Sequence, residues 1–156
     1  MTGERRRVDM LGINCGFGNN DCGTLPRSAI DTSRGWINYP RPKTAVERRC
    51  PLWPETIQAI DEAVAKRPTP KDPAHNRLAF LTRRGQPWSK AIADSPVSKE
   101  FRKLLNSLDL YRPGLSFYAL RHCFETIAGE CGDQVAVSAI MSNEPSAGSS
   151  LLAKDR

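Results

Sequence analysis

The sequence of 156 residues has no apolar run approaching the length of a bilayer span, and no apolar stretch of signal-peptide length follows its first residues, Met1 to Arg7. No membrane span or secretion signal is expected, and the chain is read as cytoplasmic. Histidine is scarce, with only His75 and His122, and no C-x-x-C pair occurs. Cys15 and Cys22 are too far apart for a zinc knuckle, and Cys123 and Cys131 stand eight apart on one expected helix. No metal site and no cofactor are therefore expected. Five cysteines are an odd number, so without a secretion signal they read as free thiols in a reducing compartment. Internal repeats and low-complexity tracts are absent as well.

What is present suits a globular domain with a core: 39% hydrophobic and 26% charged residues. The formal charge of +6 favours a polyanionic partner. A solvated basic surface without a partner is the competing reading.

Residues 1–9, with Arg5, Arg6 and Arg7, are expected to be a disordered basic lead, and residues 153–156 a tail. Between them, Met10–Cys15 is short and apolar. Gly16 to Asp21 then reads as a turn entering a short helix capped by Asn19 or Asn20, which Pro26 ends. Gly35–Tyr39 and Glu47–Leu52 read as paired strands joined by a stiff basic tip, Pro40–Ala45. Along the second strand Arg48 and Arg49 face opposite sides, so only one shares a face with Lys43.

Pro54 opens a helix to Lys66 with Ile57, Ile60 and Val64 inward. Prolines make 67–76 a loop, and Leu78–Leu81 reads as a short strand. Ser95 or Ser98 opens a helix whose apolar face is Val97, Phe101, Leu104, Leu105 and Leu108; Arg112-Pro113-Gly114 breaks it. A last helix runs from Gly132-Asp133 through Val137, Ile140 and Met141. The order predicts an α+β fold, mainly helical with a small antiparallel sheet.

The stretch Leu115–Cys123 carries the most chemistry. Ser116 can cap a helix, and Phe117, Leu120, Phe124 and Ile127 make one apolar stripe. Arg121 lies beside that stripe, where a guanidinium needs a carboxylate or a phosphate. The alternative is an arginine on the solvated edge of an amphipathic helix.

Leu120-Arg121-His122 followed by Phe124-Glu125-Thr126 resembles the second conserved box of the tyrosine recombinases, the phage-integrase family, written H-x-L-R-H-T-F-A-T. Gly12–Leu25 resembles the first box, and Lys43 with Glu47–Leu52 the hairpin lysine. The resemblance runs over roughly residues 8 to 152. It implies the recombinase catalytic fold over 10–152, without the N-terminal core-binding domain of that family.

In that family a tyrosine attacks a DNA phosphate, while two arginines stabilise the charged transition state and a lysine protonates the leaving oxygen. By resemblance the second arginine is Arg121 and the lysine Lys43. The first arginine of G-x-R-x-x-E falls on Gly18, with Asp21 in place of the glutamate. The histidine before Arg121 becomes Tyr118, the later one Asn143, and the nucleophile Leu152. His122 is read as structural.

The resemblance thus implies a DNA-binding recombination and integration domain without strand cleavage of its own. Its partners would be double-stranded DNA and other recombinase subunits, and its place the nucleoid-associated cytoplasm. Arg41, Lys43, Arg48 and Arg121 are expected to line one DNA-binding face, and Asp21 to pair with Arg121. The alternative is a noncatalytic helical DNA-binding or interaction module, or an inert remnant of a mobile element.

Overall fold

The computed structural model describes residues 3–89 and 95–141, with side chains from Val8 onward in those spans. The first helix, α1 (Gly3–Cys15), corrects the expectation of a disordered lead, because residues 3–9 form its first turns. Its buried residues explain the helix: Val8, Leu11 and Cys15 recur at i, i+3 and i+7 and pack inward. After a turn comes α2 (Asn19–Thr24). Its N-cap is Gly18, and the asparagines expected to cap it reach outward: Asn19 donates to Ser98 Oγ at 2.7 Å, and Asn20 accepts from Ser89 Oγ at 3.0 Å.

Three short antiparallel strands follow in sheet order: β1 (Ile30–Asp31), β2 (Trp36–Asn38) and β3 (Arg49–Pro51). The register sets Ile30 against Ile37, and Ile37 against Cys50. This places Ile37 and Cys50 in the core. The first strand had no counterpart in the sequence reading. Asn14 fastens α1 to the sheet edge, donating to Pro51 O at 3.0 Å and accepting from Trp53 N at 2.8 Å.

Helix α3 (Pro54–Ala65) begins at the proline, as expected. Its buried face is Thr56, Ala59, Ile60 and Ala63, so Val64 lies outside it. Helix α3 packs against α1, and Val64 lies at the rim of its buried face. In the loop after α3, the Arg67 guanidinium donates to Leu78 O, His75 O and Asn76 O at 3.0–3.2 Å. Leu78–Leu81 is a buried segment held by isolated bridges, Pro26 to Leu78 and Leu81 to Pro87, rather than the expected strand.

Helix α4 (Pro96–Ser107) buries Val97, Phe101 and Leu105. Leu108, expected inward, falls past its end and is exposed. Helix α5 (Tyr118–Gly129) starts after Phe117 without a side-chain cap, so Ser116 does not cap it. Its apolar stripe is short: Phe117 is buried, Leu120 and Phe124 are half-buried, and Ile127 is 69% exposed. The buried residue within α5 is Arg121. Helix α6 (Gln134–Met141) turns Val137 and Met141 inward. The fold is α+β, mainly helical with a small antiparallel sheet.

Candidate functional site

The turn between α1 and α2 is built on Gly16, whose φ of +62° lies in the left-handed region that favours glycine. A Cβ there would also stand 3.0 Å from Phe124 Cδ1 on α5. The turn therefore holds the Gly16 carbonyl against α5. That carbonyl accepts from Arg121 Nη1 at 2.6 Å, and Met141 O accepts from Arg121 Nη2 at 3.0 Å. Arg121 thus ties the α1–α2 turn and the end of α6 to α5.

The surroundings of Arg121 hold its pKa below the usual guanidinium range. Burial is the main cause and the positive charge of Arg41 the next; Tyr118 and Asp21 oppose them, and Arg48 adds to the lowering. Arginine stays charged even so. The same influences place Arg41, Arg48, Asp21 and Tyr118 within electrostatic reach of one guanidinium.

Asp21 was expected to pair with Arg121. Its carboxylate is engaged elsewhere: Oδ2 accepts from Gly18 N at 2.9 Å and lies 3.3 Å from Arg48 Nη1. Arg48 arrives from the hairpin and is buried. Its guanidinium carbon sits 4.0 Å from the centre of the Phe17 ring and 5.6 Å from that of Tyr39, and Nε donates to Tyr39 O at 3.0 Å. Arg48 therefore does not join Arg41 and Lys43 on an open face, as the sequence reading had it. Its neighbour Arg49 is the exposed one, stacked 4.1 Å from the Trp36 ring. Alternation separates the two arginines but does not say which enters the core; the aromatic pair Phe17 and Tyr39 decides that.

The hairpin tip closes through Arg41, whose carbonyl accepts from Thr44 N and Ala45 N at 3.2 and 2.8 Å. Lys43 is exposed on this tip and Arg41 half-buried. The positive charge of Arg41 acts on Arg121 from the hairpin side. Gly18 and Tyr118 are neighbours too, since a Cβ on Gly18 would lie 3.9 Å from the Tyr118 ring. His122 is exposed, 3.8 Å from Glu125, with its ring edge-on to Tyr118 at 4.9 Å. Asn143 and Leu152 lie outside the described residues.

Sequence reasoning missed the Arg48–Asp21 pair and the two carbonyls that hold Arg121. An acid in the first box and two adjacent arginines on the return strand were a signal for the former. Backbone carbonyls carry no residue signal at all.

Chemically, a guanidinium suits an oxyanion, because its fork geometry matches phosphate oxygens. Among the described residues no group of three or more histidine, cysteine or acidic side chains could hold a metal. A separate groove of about 800 Å³ lies between Arg27, Ile30, Ile60, Asp61 and Arg77, and contains none of these site residues.

No protein-family model matches the chain, and no curated protein matches it. Solved structures do. XerA recombinase superposes with a TM-score of 0.74 over 92% of this chain and 50% of its own, at 16% identity. The XerH site-specific recombinase bound to its difH substrate, in a pre-cleavage complex, gives 0.73 over 92% of this chain and 40% of its own, at 18% identity. The integrase of transposon Tn1549, in complex with a circular intermediate DNA, gives 0.71 over 88% of this chain and 50% of its own, at 19% identity. The chain spans half or less of the length of these recombinases. It has the fold of tyrosine-recombinase catalytic domains.

Proposed function

We propose that the chain is a tyrosine-recombinase-type domain, residues 10–152, that binds double-stranded DNA through its phosphates and does not cleave strands itself. The observation that carries this reading is the cluster around Arg121. The charges of Arg41 and Arg48 both act on Arg121, and the Asp21 carboxylate that also acts on it is already engaged by Arg48. Like charges brought together in this way favour an anionic ligand. Lys43 on the adjoining tip adds a further cation on the exposed side.

The lack of cleavage follows from the resemblance. Leu152 offers no nucleophilic atom at the tyrosine position, and Gly18 offers no cation at the first-arginine position. Loss of a single preorganised donor typically lowers a rate by about 10²–10³. Other recombinase subunits, as products of a mobile element in the nucleoid, are the protein partners this reading implies.

Fluorescence anisotropy with a random-sequence duplex across a KCl series tests the binding. Affinity is expected to fall steeply with salt, and Arg41→Ala or Lys43→Ala to lower the slope by about one each. Arg121→Ala should weaken binding to all sequences alike, because phosphate contacts carry no base information. Affinity indifferent to salt would overturn the reading. Cleavage is tested with a nicked suicide duplex, on which no covalent adduct is expected; a shifted covalent band would overturn that part.

A further inference from the structure

The groove of about 800 Å³ beside the sheet plays no part in the phosphate reading. Its size is that of a ligand pocket, and three elements wall it: β1 through Ile30, α3 through Ile60, Asp61 and Val64, and the 73–77 segment through Arg77. Much of the lining is apolar, with Ile60 buried, Ile30 half-buried and Val64 36% exposed. Two exposed arginines, Arg27 and Arg77, line the same groove. They are neighbours, since Arg27 N donates to Arg77 O at 2.8 Å. Neither guanidinium forms an ion pair among the described residues. Arg67 adds charge beside them: its guanidinium donates to Asn76 O at 3.0 Å, one residue before Arg77. The one acid in the lining is Asp61.

Exposed cations beside apolar side chains suit a ligand that carries carboxylates on an apolar body. Nucleic acid suits the groove poorly, because none of its lining residues is aromatic, so no base can stack, and Asp61 repels phosphates. The shape favours an extended chain. Strand β1 is the edge of its sheet, with β2 on one side, and peptides bind along such edges. We propose that this groove binds an extended acidic peptide segment of another protein, with carboxylates on Arg27 and Arg77 and an apolar side chain against Ile30 and Val64. The proposal stands apart from the phosphate reading and survives if that reading fails. A groove filled only by water is the competing account.

The test selects short random peptides, displayed on phage, against the immobilised full chain. Recovered sequences are expected to combine aspartate or glutamate with leucine, isoleucine or valine. A fluorescein-labelled recovered peptide should bind more weakly as KCl rises. Arg27→Gln with Arg77→Gln should lower its affinity by about tenfold or more, with circular dichroism and melting as controls for folding. Recovery of no acidic peptide, or equal binding by the native chain and the double variant, would overturn the proposal.

Val64→Asp provides a second arm should the double variant not fold. It sets a carboxylate on the apolar wall of the groove, where it repels the peptide and removes its apolar contact. Affinity for the labelled peptide should fall several-fold; native affinity would overturn the proposal. Excess unlabelled duplex DNA should leave the peptide bound, and the double arginine variant should bind duplex as the native chain does. Displacement by duplex, together with weaker duplex binding by that variant, would mean that the groove takes nucleic acid and would also overturn the proposal.

Discussion

The turn-and-hairpin region and the α5–α6 end each hold one buried arginine, and they hold it by different means. Arg48 is clasped by a carboxylate, a carbonyl and two aromatic faces, all from residues 17 to 39. Arg121 is held by carbonyls of Gly16 and Met141, which belong to distant parts of the chain. The first region surrounds its arginine with a core containing Phe17, Leu25, Ile37 and Cys50. The second leaves much of its apolar surface in water, with Ile127 at 69% and Val135 at 82% exposed. Stability therefore resides mainly in the first region, while the second presents a guanidinium from a scaffold packed on one side only.

Breaking the clasp should have the largest effect. Arg48→Ala leaves Asp21 buried without its cation, and removal of one partner from a buried pair costs about 3–5 kcal/mol. Urea unfolding should show this loss, and Arg48→Met with Asp21→Asn should recover most of it. A loss below about 1 kcal/mol, the ordinary scale of an exposed pair, would show that the pair is weakly coupled to the fold.

The contrast in packing predicts the next effect. Phe117 is buried edge-on to Phe101, with ring centroids 5.6 Å apart. Phe117→Ala should cost about 3–5 kcal/mol as a cavity opens. Ile127→Ala, two to three turns along the same stripe, should stay within about 0.5 kcal/mol. Comparable losses at both positions would mean that Ile127 is covered in solution, and would weaken the contrast between the two regions.

That stripe also shows how far the sequence was legible. Phe117, Leu120, Phe124 and Ile127 predict a helix, and α5 is there. Periodicity does not say where the partner surface ends, so the exposure of Ile127 was hidden. In α3 the proline start was readable, but periodicity placed Val64 inward where the buried face is Thr56, Ala59, Ile60 and Ala63. The spacing of Val8, Leu11 and Cys15 went unread, because three successive arginines ahead of it suggested a disordered lead and Met10–Cys15 read only as a short apolar stretch. At the site, the sequence named Arg121 and Arg41 as candidates and paired Asp21 with Arg121, whereas the Asp21 carboxylate meets Arg48. The choice of Arg48 over Arg49 as the buried arginine depended on tertiary packing.

A smaller effect concerns alkaline stability. The thiols of Cys15 and Cys22 are pushed well above their ordinary value of 9.0: Cys15 chiefly by a hydrogen bond with Cys50 and then by burial, Cys22 chiefly by burial. A raised folded-state pKa means that the unfolded chain releases its proton first. Their contribution is intact below pH 9.0 and is lost as pH rises from there toward the raised folded values. Melting temperature should fall more steeply above pH 9.0 in the native chain than in Cys22→Ala. Parallel curves would show that Cys22 does not titrate in this way.

The smallest effect requires no change in stability and separates the two regions by chemistry alone. Cys15, Cys22 and Cys50 are buried in the turn-and-hairpin region, and Cys123 and Cys131 are exposed at the α5–α6 end. Alkylation proceeds through the thiolate and needs access, and the buried thiols lack access. Mild iodoacetamide treatment followed by mass spectrometry should therefore modify Cys123 and Cys131 at native rates, with the far-ultraviolet spectrum unchanged. The other three should react only when urea unfolds the chain. Because global unfolding is rare in a stable domain, their labelling rate should rise with denaturant in step with the unfolded fraction. Modification of Cys50 at the rate of Cys123 in the absence of urea would mean that β3 opens locally. The clasp around Arg48 would then be no more rigid than the helices facing it.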